Sequence, residues 1–136
     1  YGYFDKTLGG DGDPLDALVI LEFPVFPGVV VDVRPVGVLP MEDDGGIDEK
    51  VICVQTKDPR WAHIQDINDV PEQTRNELFH FFSHYKDLEP GKWVKVGEWQ
   101  GKDVAERLIK EAQVRYMTEG DGAKAASCDC AEGCCK

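Results

Sequence analysis

Residues 10–17 read Gly-Asp-Gly-Asp-Pro-Leu-Asp-Ala, and residues 18–21 continue as Leu-Val-Ile-Leu. The β-branched residues predict a strand over residues 17–23, and Gly12 and Pro14 fix the turn before it. Three aspartates therefore crowd together where this strand begins, with no basic residue between them. Because like charges at this spacing repel one another, the stretch predicts a site for a hard divalent cation such as Mg²⁺, Mn²⁺ or Ca²⁺, which prefers oxygen ligands.

The same stretch also fits a simpler interpretation, a polar turn whose aspartates cap the following element. It does not follow the EF-hand pattern, because Leu15 stands where that loop needs another oxygen ligand. From this stretch alone, the cation site and the capped turn both stay open.

Composition and charge limit the classes of protein to consider. The 136 residues are 42% hydrophobic, which suits one domain with a core. No apolar run approaches the roughly 20 residues that a membrane span requires, so no membrane partner is expected. The formal net charge of −11, from 26 acidic and 15 basic residues, argues against binding to nucleic acid or to an anionic membrane surface. A negative charge of this size does suit a cation site.

Short apolar segments separated by turn residues indicate a small β-barrel or sandwich in the first half of the chain. After residues 17–23, strands are predicted over residues 29–33, 36–39 and 51–54, with Arg34-Pro35 as a brief interruption.

The second half predicts two helices and a strand between them. Asp69-Val70-Pro71-Glu72 resembles a helix start with a capping-box carboxylate, and this helix is expected to end around residues 88–91. A strand is predicted over residues 93–99 and a final helix from Asp103 to about residue 117. One face of that final helix is apolar, formed by Val104, Leu108, Ala112 and Tyr116.

A second acidic cluster, formed by Asp43, Asp44 and Asp48, lies between two predicted strands. In a small barrel this loop and the first acidic stretch can open at the same end, which would gather more carboxylates than one ion needs. Two or more ions would then generate hydroxide and clamp the oxygens of a phosphoryl group during in-line displacement. Taken by itself, the second cluster also fits a solvated hairpin tip. Donors for an anionic substrate would be Lys50, Tyr85 and Lys86.

The order of these motifs along the chain resembles one known family. Residues 11–17 are similar to the signature Asp-x-Asp-Pro-apolar-Asp of the family I soluble inorganic pyrophosphatases, and the bacterial branch is the closer match. The resemblance runs from Tyr1 to about residue 116 in a single order. It is carried further by Tyr1-Gly2-Tyr3, Arg34-Pro35-Val36-Gly37-Val38-Leu39, residues 43–50, Asp66-Ile67-Asn68-Asp69, Phe81-Phe82-Ser83-His84-Tyr85-Lys86-Asp87-Leu88 and Gly91-Lys92-Trp93-Val94-Lys95-Val96.

This resemblance implies a mainly β fold with α-helices (α+β), a small twisted OB-like five-stranded β-barrel flanked by helices. It implies Mg²⁺-dependent hydrolysis of pyrophosphate to two orthophosphates, with Mn²⁺ or Zn²⁺ as substitute metals. It also implies a cytoplasmic homo-oligomer, a hexamer as in bacterial members, with His80 and His84 on a helix that could carry the contacts. The pyrophosphatase domain is expected to cover residues 1–119.

The resemblance also assigns roles to individual residues. Asp11, Asp16 and Asp48 would ligate the tightest Mg²⁺, and Asp43, again with Asp48, would hold a further Mg²⁺. Asp13 would be the catalytic base that takes a proton from the attacking water. The phosphates would be contacted by Tyr1, Lys50, Tyr85 and Lys86.

Two features depart from the family pattern. Family members have further barrel strands and active-site residues before the segment that matches Tyr1, so the chain is expected to be N-terminally truncated and to lack those strands. The tail, residues 120–136, is expected to be disordered. It carries four cysteines that could also bind Zn²⁺ or Cu⁺, namely Cys128, Cys130, Cys134 and Cys135.

Two alternative functions stay open. One is a non-catalytic β-barrel whose acidic loops hold a divalent cation, in which case replacing Asp13 would leave cation binding intact. The other is a thiol-rich metal buffer in which the tail is the functional part. The fifth cysteine, Cys53, stands alone in an apolar segment and is interpreted as a buried small hydrophobic residue.

Overall fold

Eight short strands and two α-helices make up the part of the chain that the computed structural model describes, which is the backbone of residues 1–123 and the side chains of residues 1–119. The strands are β1 Gly2–Tyr3, β2 Asp16–Ile20, β3 Val33–Leu39, β4 Met41–Asp43, β5 Gly46–Ile47, β6 Lys50–Gln55, β7 Val94–Val96 and β8 Gln100–Gly101. The helices are α1 Glu72–His84 and α2 Lys102–Ala123, preceded by 3₁₀ turns at Pro59–Trp61 and Ile67–Asp69.

Strand β6 is the centre of a five-stranded sheet with the order β1-β2-β6-β3-β8. Its continuous apolar run, residues 51–54, is buried because both faces of the sheet are covered. Strand β2 pairs with β6 in parallel, so that Asp16 lies opposite Lys50, whereas β3 pairs with β6 antiparallel. This parallel register brings the first acidic stretch next to the end of the second acidic loop.

The second acidic loop belongs to a smaller sheet with the order β5-β4-β7. Strands β4 and β5 form a hairpin that turns at Asp44-Gly45. Gly46 has φ +125°, a conformation that side-chain-bearing residues rarely adopt, so a glycine is needed there. The hairpin fixes Asp43 at the end of β4.

The two helices cover different parts of the sheets. Phe82 of α1 is buried against Leu39 and Met41. Helix α2 lies against β3 and buries two alanines, Ala105 and Ala112, whose small side chains allow close approach to the sheet. The apolar face predicted for the final helix is confirmed for Val104, Leu108 and Ala112, which belong to the same cluster as Leu15, Val38 and Val51.

The class predicted from the sequence, mainly β with flanking helices, is confirmed, but the strand predicted over residues 29–33 is wrong. Residues 29–32 form no strand, and β3 begins at Val33 and continues through the predicted interruption at Arg34-Pro35. The ladder with β6 shifts register between Pro35 and Gly37, which is where a proline can be accommodated inside a strand.

The predicted element ends also need correction. Asp69 forms a capping box with Asp66 around the 3₁₀ turn Ile67–Asp69, while α1 begins after Pro71 with no side-chain cap. Helix α1 ends at His84, earlier than expected. Strand β2 ends at Ile20 instead of residue 23, and the strand predicted over residues 93–99 is confined to β7.

Helix α2 continues to Ala123, past the predicted end at residue 117. The four cysteines of the tail lie outside the described residues, and the domain boundary at residue 119 stays a prediction. Within residues 1–123, no helix combines the length and the apolar character that a transmembrane segment needs.

Candidate active site

The two acidic loops open into one cleft of about 450 Å³. Every residue to which the family resemblance assigns a catalytic, metal-binding or substrate-binding role lines this cleft. Three further residues line it as well, Asp44, Gly45 and Lys92. The nine predicted residues are Tyr1, Asp11, Asp13, Asp16, Asp43, Asp48, Lys50, Tyr85 and Lys86.

The first acidic loop is held by its own backbone. The amide of Asp13 donates a 3.0 Å hydrogen bond to Asp11 Oδ1, and the amide of Gly9 donates to the carbonyl of Asp13 at 2.6 Å. Gly12, between the two aspartates, has φ +92°. These contacts fix the loop backbone and leave Asp13 exposed on the cleft wall.

Lys50 joins the two loops electrostatically. It is buried, and its Nζ lies 2.5 Å from Asp16 Oδ2 and also donates to Asp48 Oδ1. Burial by itself would lower the pKa of Lys50, but the hydrogen bonds to these two carboxylates outweigh burial and raise the pKa above its ordinary value. Lys50 is therefore a cation at neutral pH, and it lies between carboxylates from two different loops.

Tyr1 contacts the same group of residues. Its hydroxyl donates to Asp16 Oδ2 and lies 3.4 Å from Lys50 Nζ. Burial, together with the hydrogen bond to Asp16, raises the pKa of Tyr1 to about 12. The Tyr1 hydroxyl is thus a neutral donor at physiological pH.

Lys86 plays the corresponding role on the other side of the cleft. Its Nζ lies 2.5 Å from Asp43 Oδ2 and 3.4 Å from Asp44 Oδ1, and the hydrogen bond to Asp43 raises the pKa of Lys86. Burial alone would raise the pKa of Asp43, but the hydrogen bonds from Lys86 and from the Gly45 amide keep it below its ordinary value. The neighbouring Tyr85 stacks on Phe81, and burial raises the pKa of its hydroxyl.

Six aspartates and three lysines line the cleft, so it carries an excess of negative charge. Asp44 belongs to the second acidic cluster of the sequence, but the family resemblance assigns it no individual role. Lys92 belongs to a segment that resembles the family, but the sequence predicts no role for it, because a single lysine after a glycine carries no chemical signal. Its place in the cleft depends on the turn that follows α1.

The donor chemistry of the cleft fits a hard divalent cation. Carboxylate oxygens are the ligands that Mg²⁺ prefers, and within residues 1–119 no histidine or cysteine lines the cleft. In that part of the chain, no three histidine, cysteine or acidic side chains converge closely enough to form a ready ion site. Instead, Asp16, Asp48 and Asp43 are neutralised by Lys50 and Lys86.

Known proteins share both the sequence and the fold. Residues 1–117 match the profile of a family described as inorganic pyrophosphatase. The inorganic pyrophosphatase of Leifsonia xyli subsp. xyli is 58% identical over 120 residues, which make up 88% of this chain and 74% of the relative.

Two solved bacterial structures agree with this match. The inorganic pyrophosphatase of Thermus thermophilus superposes with a TM-score of 0.81 at 50% identity, over 85% of this chain and 67% of that one. The Helicobacter pylori inorganic pyrophosphatase superposes with a TM-score of 0.82 at 44% identity, over 85% of this chain and 69% of that one. The chain therefore belongs to the inorganic pyrophosphatase family.

Proposed function

We propose that this chain hydrolyses pyrophosphate to two orthophosphates with the help of Mg²⁺. The observation that carries the proposal is the cleft in which two acidic loops meet two tyrosines and three lysines. Carboxylates alone would repel a polyanion, and lysines alone would offer no place for a metal ion. Their combination in one cleft suits a substrate that carries several negative charges and reacts only when those charges are neutralised.

Four aspartates would hold the metal, namely Asp11, Asp16, Asp43 and Asp48. When bound, Mg²⁺ supplies the positive charge that allows a nucleophile derived from water to approach a polyanionic phosphoryl group. The oxygen-only donor set favours Mg²⁺ over softer metals, and Mn²⁺ fits the same preference better than Zn²⁺.

The lysines and tyrosines would bind and orient the substrate. Lys50 and Lys86 stay protonated because their pKa values are raised, so both can donate charge-assisted hydrogen bonds to phosphoryl oxygens. The hydroxyls of Tyr1 and Tyr85 stay neutral for the same reason and add donors without adding negative charge. These groups would align the phosphoanhydride bond and stabilise charge on the leaving phosphate.

Asp13 would be the general base. Its backbone is fixed by the loop, and its carboxylate lies on the cleft wall near the metal-binding aspartates. A carboxylate in this place can accept the proton of the attacking water, and such proton transfer typically accelerates a reaction by about 100- to 10,000-fold.

The test is the release of orthophosphate from pyrophosphate in the presence of Mg²⁺. We expect Asp13→Asn to lower kcat by at least about 100-fold, because asparagine cannot take up the proton. Asp5→Asn, at an exposed aspartate outside the cleft, is the matched control and should retain activity. A chain that binds Mg²⁺ but releases no phosphate would contradict the proposal and favour the non-catalytic cation-binding alternative.

We further infer from the family resemblance that the chain acts as a cytoplasmic homo-oligomer, with a hexamer as the expected state. Helix α1 supports this with exposed Phe79 and Phe81 and with the neighbouring rings of His80 and His84, 4.6 Å apart. Light scattering of the purified chain tests the oligomeric state, and a monomer at high protein concentration would contradict it.

A further inference from the structure

Lys92 lines the cleft, and the proposed mechanism gives it no role. It stands in the turn between α1 and β7, directly after Gly91, whose φ of +80° favours glycine. A 3.2 Å hydrogen bond from the Lys92 amide to the carbonyl of Glu89 closes this turn. The Lys92 side chain is 43% exposed, whereas those of Lys50 and Lys86 are 3% and 15% exposed. Lys92 therefore places a cation on the solvent side of the cleft.

The ion-pair partner distinguishes Lys92 from the other two lysines of the cleft. Each of those lysines pairs with two aspartates that line the same cleft. Lys92 Nζ lies instead 3.0 Å from Glu89 Oε2, and Glu89 does not line the cleft. An incoming anion can take Lys92 away from Glu89 without leaving any aspartate of the site unpaired.

The exchange of partners costs little. Both members of the Glu89–Lys92 pair are exposed, and ion pairs of this kind contribute little because water screens them and two long side chains must be ordered. Pyrophosphate concentrates several negative charges on adjacent oxygens, so it attracts an ammonium group more strongly than one carboxylate does. Lys92 can therefore change partner as the substrate arrives.

The charge of the cleft creates a need for such a cation. Before metal ions neutralise them, six aspartates against three lysines repel an anion that approaches from solution. Charges on the rim of a binding site mainly affect the association rate and its salt dependence. Among the described lysines that line the cleft, Lys92 is the most exposed and meets an incoming anion first.

We propose that Lys92 captures pyrophosphate on the solvent side of the cleft by exchanging Glu89 for a phosphoryl oxygen. This inference rests on the proposed function, since the captured anion is the substrate of that reaction. Lys92 acts in binding and takes no part in bond breaking. Removal of the Lys92 side chain should lower kcat/KM and raise KM, and it should leave kcat nearly unchanged.

The first test compares steady-state phosphate release by Lys92→Ala, Lys92→Arg and Lys95→Ala at low and high ionic strength. Lys95 is the matched control, an exposed lysine of β7 that lies over the Trp93 ring and outside the cleft. We expect Lys92→Ala to lower kcat/KM by roughly three- to tenfold and to change kcat by less than about twofold. Added salt should reduce the difference in kcat/KM between this variant and the unmodified chain. Lys92→Arg should keep most of kcat/KM, and Glu89→Gln should not lower it. The inference is overturned if Lys92→Ala behaves like Lys95→Ala, or if it lowers kcat at unchanged KM.

The second test measures binding without turnover. The full chain and the same variants are titrated calorimetrically with methylenediphosphonate, a pyrophosphate analogue that cannot be hydrolysed, in the presence of Mg²⁺. We expect Lys92→Ala to bind the analogue more weakly than Lys95→Ala. If the unmodified chain releases no phosphate but binding depends on Lys92, the proposed hydrolysis fails and anion capture stands. If the unmodified chain releases phosphate and both variants bind equally, anion capture alone fails.

Discussion

The Cys53 thiol is fully buried at the centre of β6, as the sequence predicted. Burial raises the pKa of this thiol to about 12, because a thiolate would lose its hydration there. An unfolded chain releases the same proton with a pKa of about 8.5. Above that pH the folded chain binds more protons than the unfolded chain, so the free energy of unfolding falls as pH rises toward 12. Below that pH the thiol contributes no pH dependence.

At the residue scale, we expect Cys53→Ala to flatten this alkaline decline. A smaller decline should remain, because the pKa values of Lys50 and Tyr1 are also raised on folding. The substitution opens a small cavity, so the variant should be less stable at neutral pH by about 1 kcal/mol. Urea unfolding at neutral pH and at values between about 9 and 11 measures both effects. Equal slopes for the two chains in the alkaline range would contradict the assignment.

At the scale of elements, the contact between β3, β8 and the 3₁₀ turn Ile67–Asp69 depends on the absence of a side chain at Gly37. A Cβ atom placed there would lie 2.6 Å from Ile67 Cβ and 2.8 Å from the carbonyl oxygen of Gln100. Ile67 is packed in a buried apolar cluster, and Gln100 is paired with Val38 in the ladder of β3 and β8. The β3 ladder therefore tolerates only glycine at this position.

We expect Gly37→Ala to lower the free energy of unfolding by about 2–3 kcal/mol, because the added methyl overpacks this junction. Gly2→Ala is the matched control, since a Cβ at Gly2 would meet no atom within 4 Å. Chemical denaturation of both variants measures the difference. If both variants lose the same stability, the junction is not the reason why glycine is required at position 37.

The sequence predicted elements well where local pattern and burial agree, as in β6 and in the apolar face of α2. It failed at residues 29–32. An apolar run by itself does not show whether a partner strand is available, and Val30 is 94% exposed. The passage of β3 through Pro35 depends on a bulge opposite β6, which is a non-local property. The Asp69 carboxylate was expected to start α1, but it completes the capping box of the preceding 3₁₀ turn, and local sequence did not decide between these two adjacent turns.

At the scale of the whole molecule, the sequence predicted which residues line the cleft because the acidic loops carry recognisable motifs. It did not predict the ion pairs. Lys50 meets Asp16 through the parallel register of β2 and β6, although the two residues are 34 positions apart. Neither the spacing of the motifs along the chain nor the composition predicts the register between these two strands. Lys92 was missed for the same reason, since a turn after α1 determines where it lies.

The charge excess of the cleft couples stability to divalent cations. Lys50→Met would leave Asp16 and Asp48 without their shared cation, and breaking a buried pair typically costs about 3–5 kcal/mol. We expect the variant to be strongly destabilised in chelator and to recover more stability on addition of Mg²⁺ than the unmodified chain, because the ion can neutralise both carboxylates. Thermal unfolding with and without Mg²⁺ measures this, with Lys95→Met as the control. A Mg²⁺ response no larger in Lys50→Met than in the other two chains would contradict this coupling.

The parallel pairing of β2 with β6 has a consequence for the way the chain acquires its site. Parallel strands cannot be joined by a tight hairpin, and closing a long loop between them is entropically costly and slow. Both halves of the carboxylate set, and the lysine between them, come together only when this pairing forms. Local hairpins such as β4–β5 can form much earlier without producing a cleft. We therefore expect cation affinity to appear late in folding and to report on the completion of the central sheet.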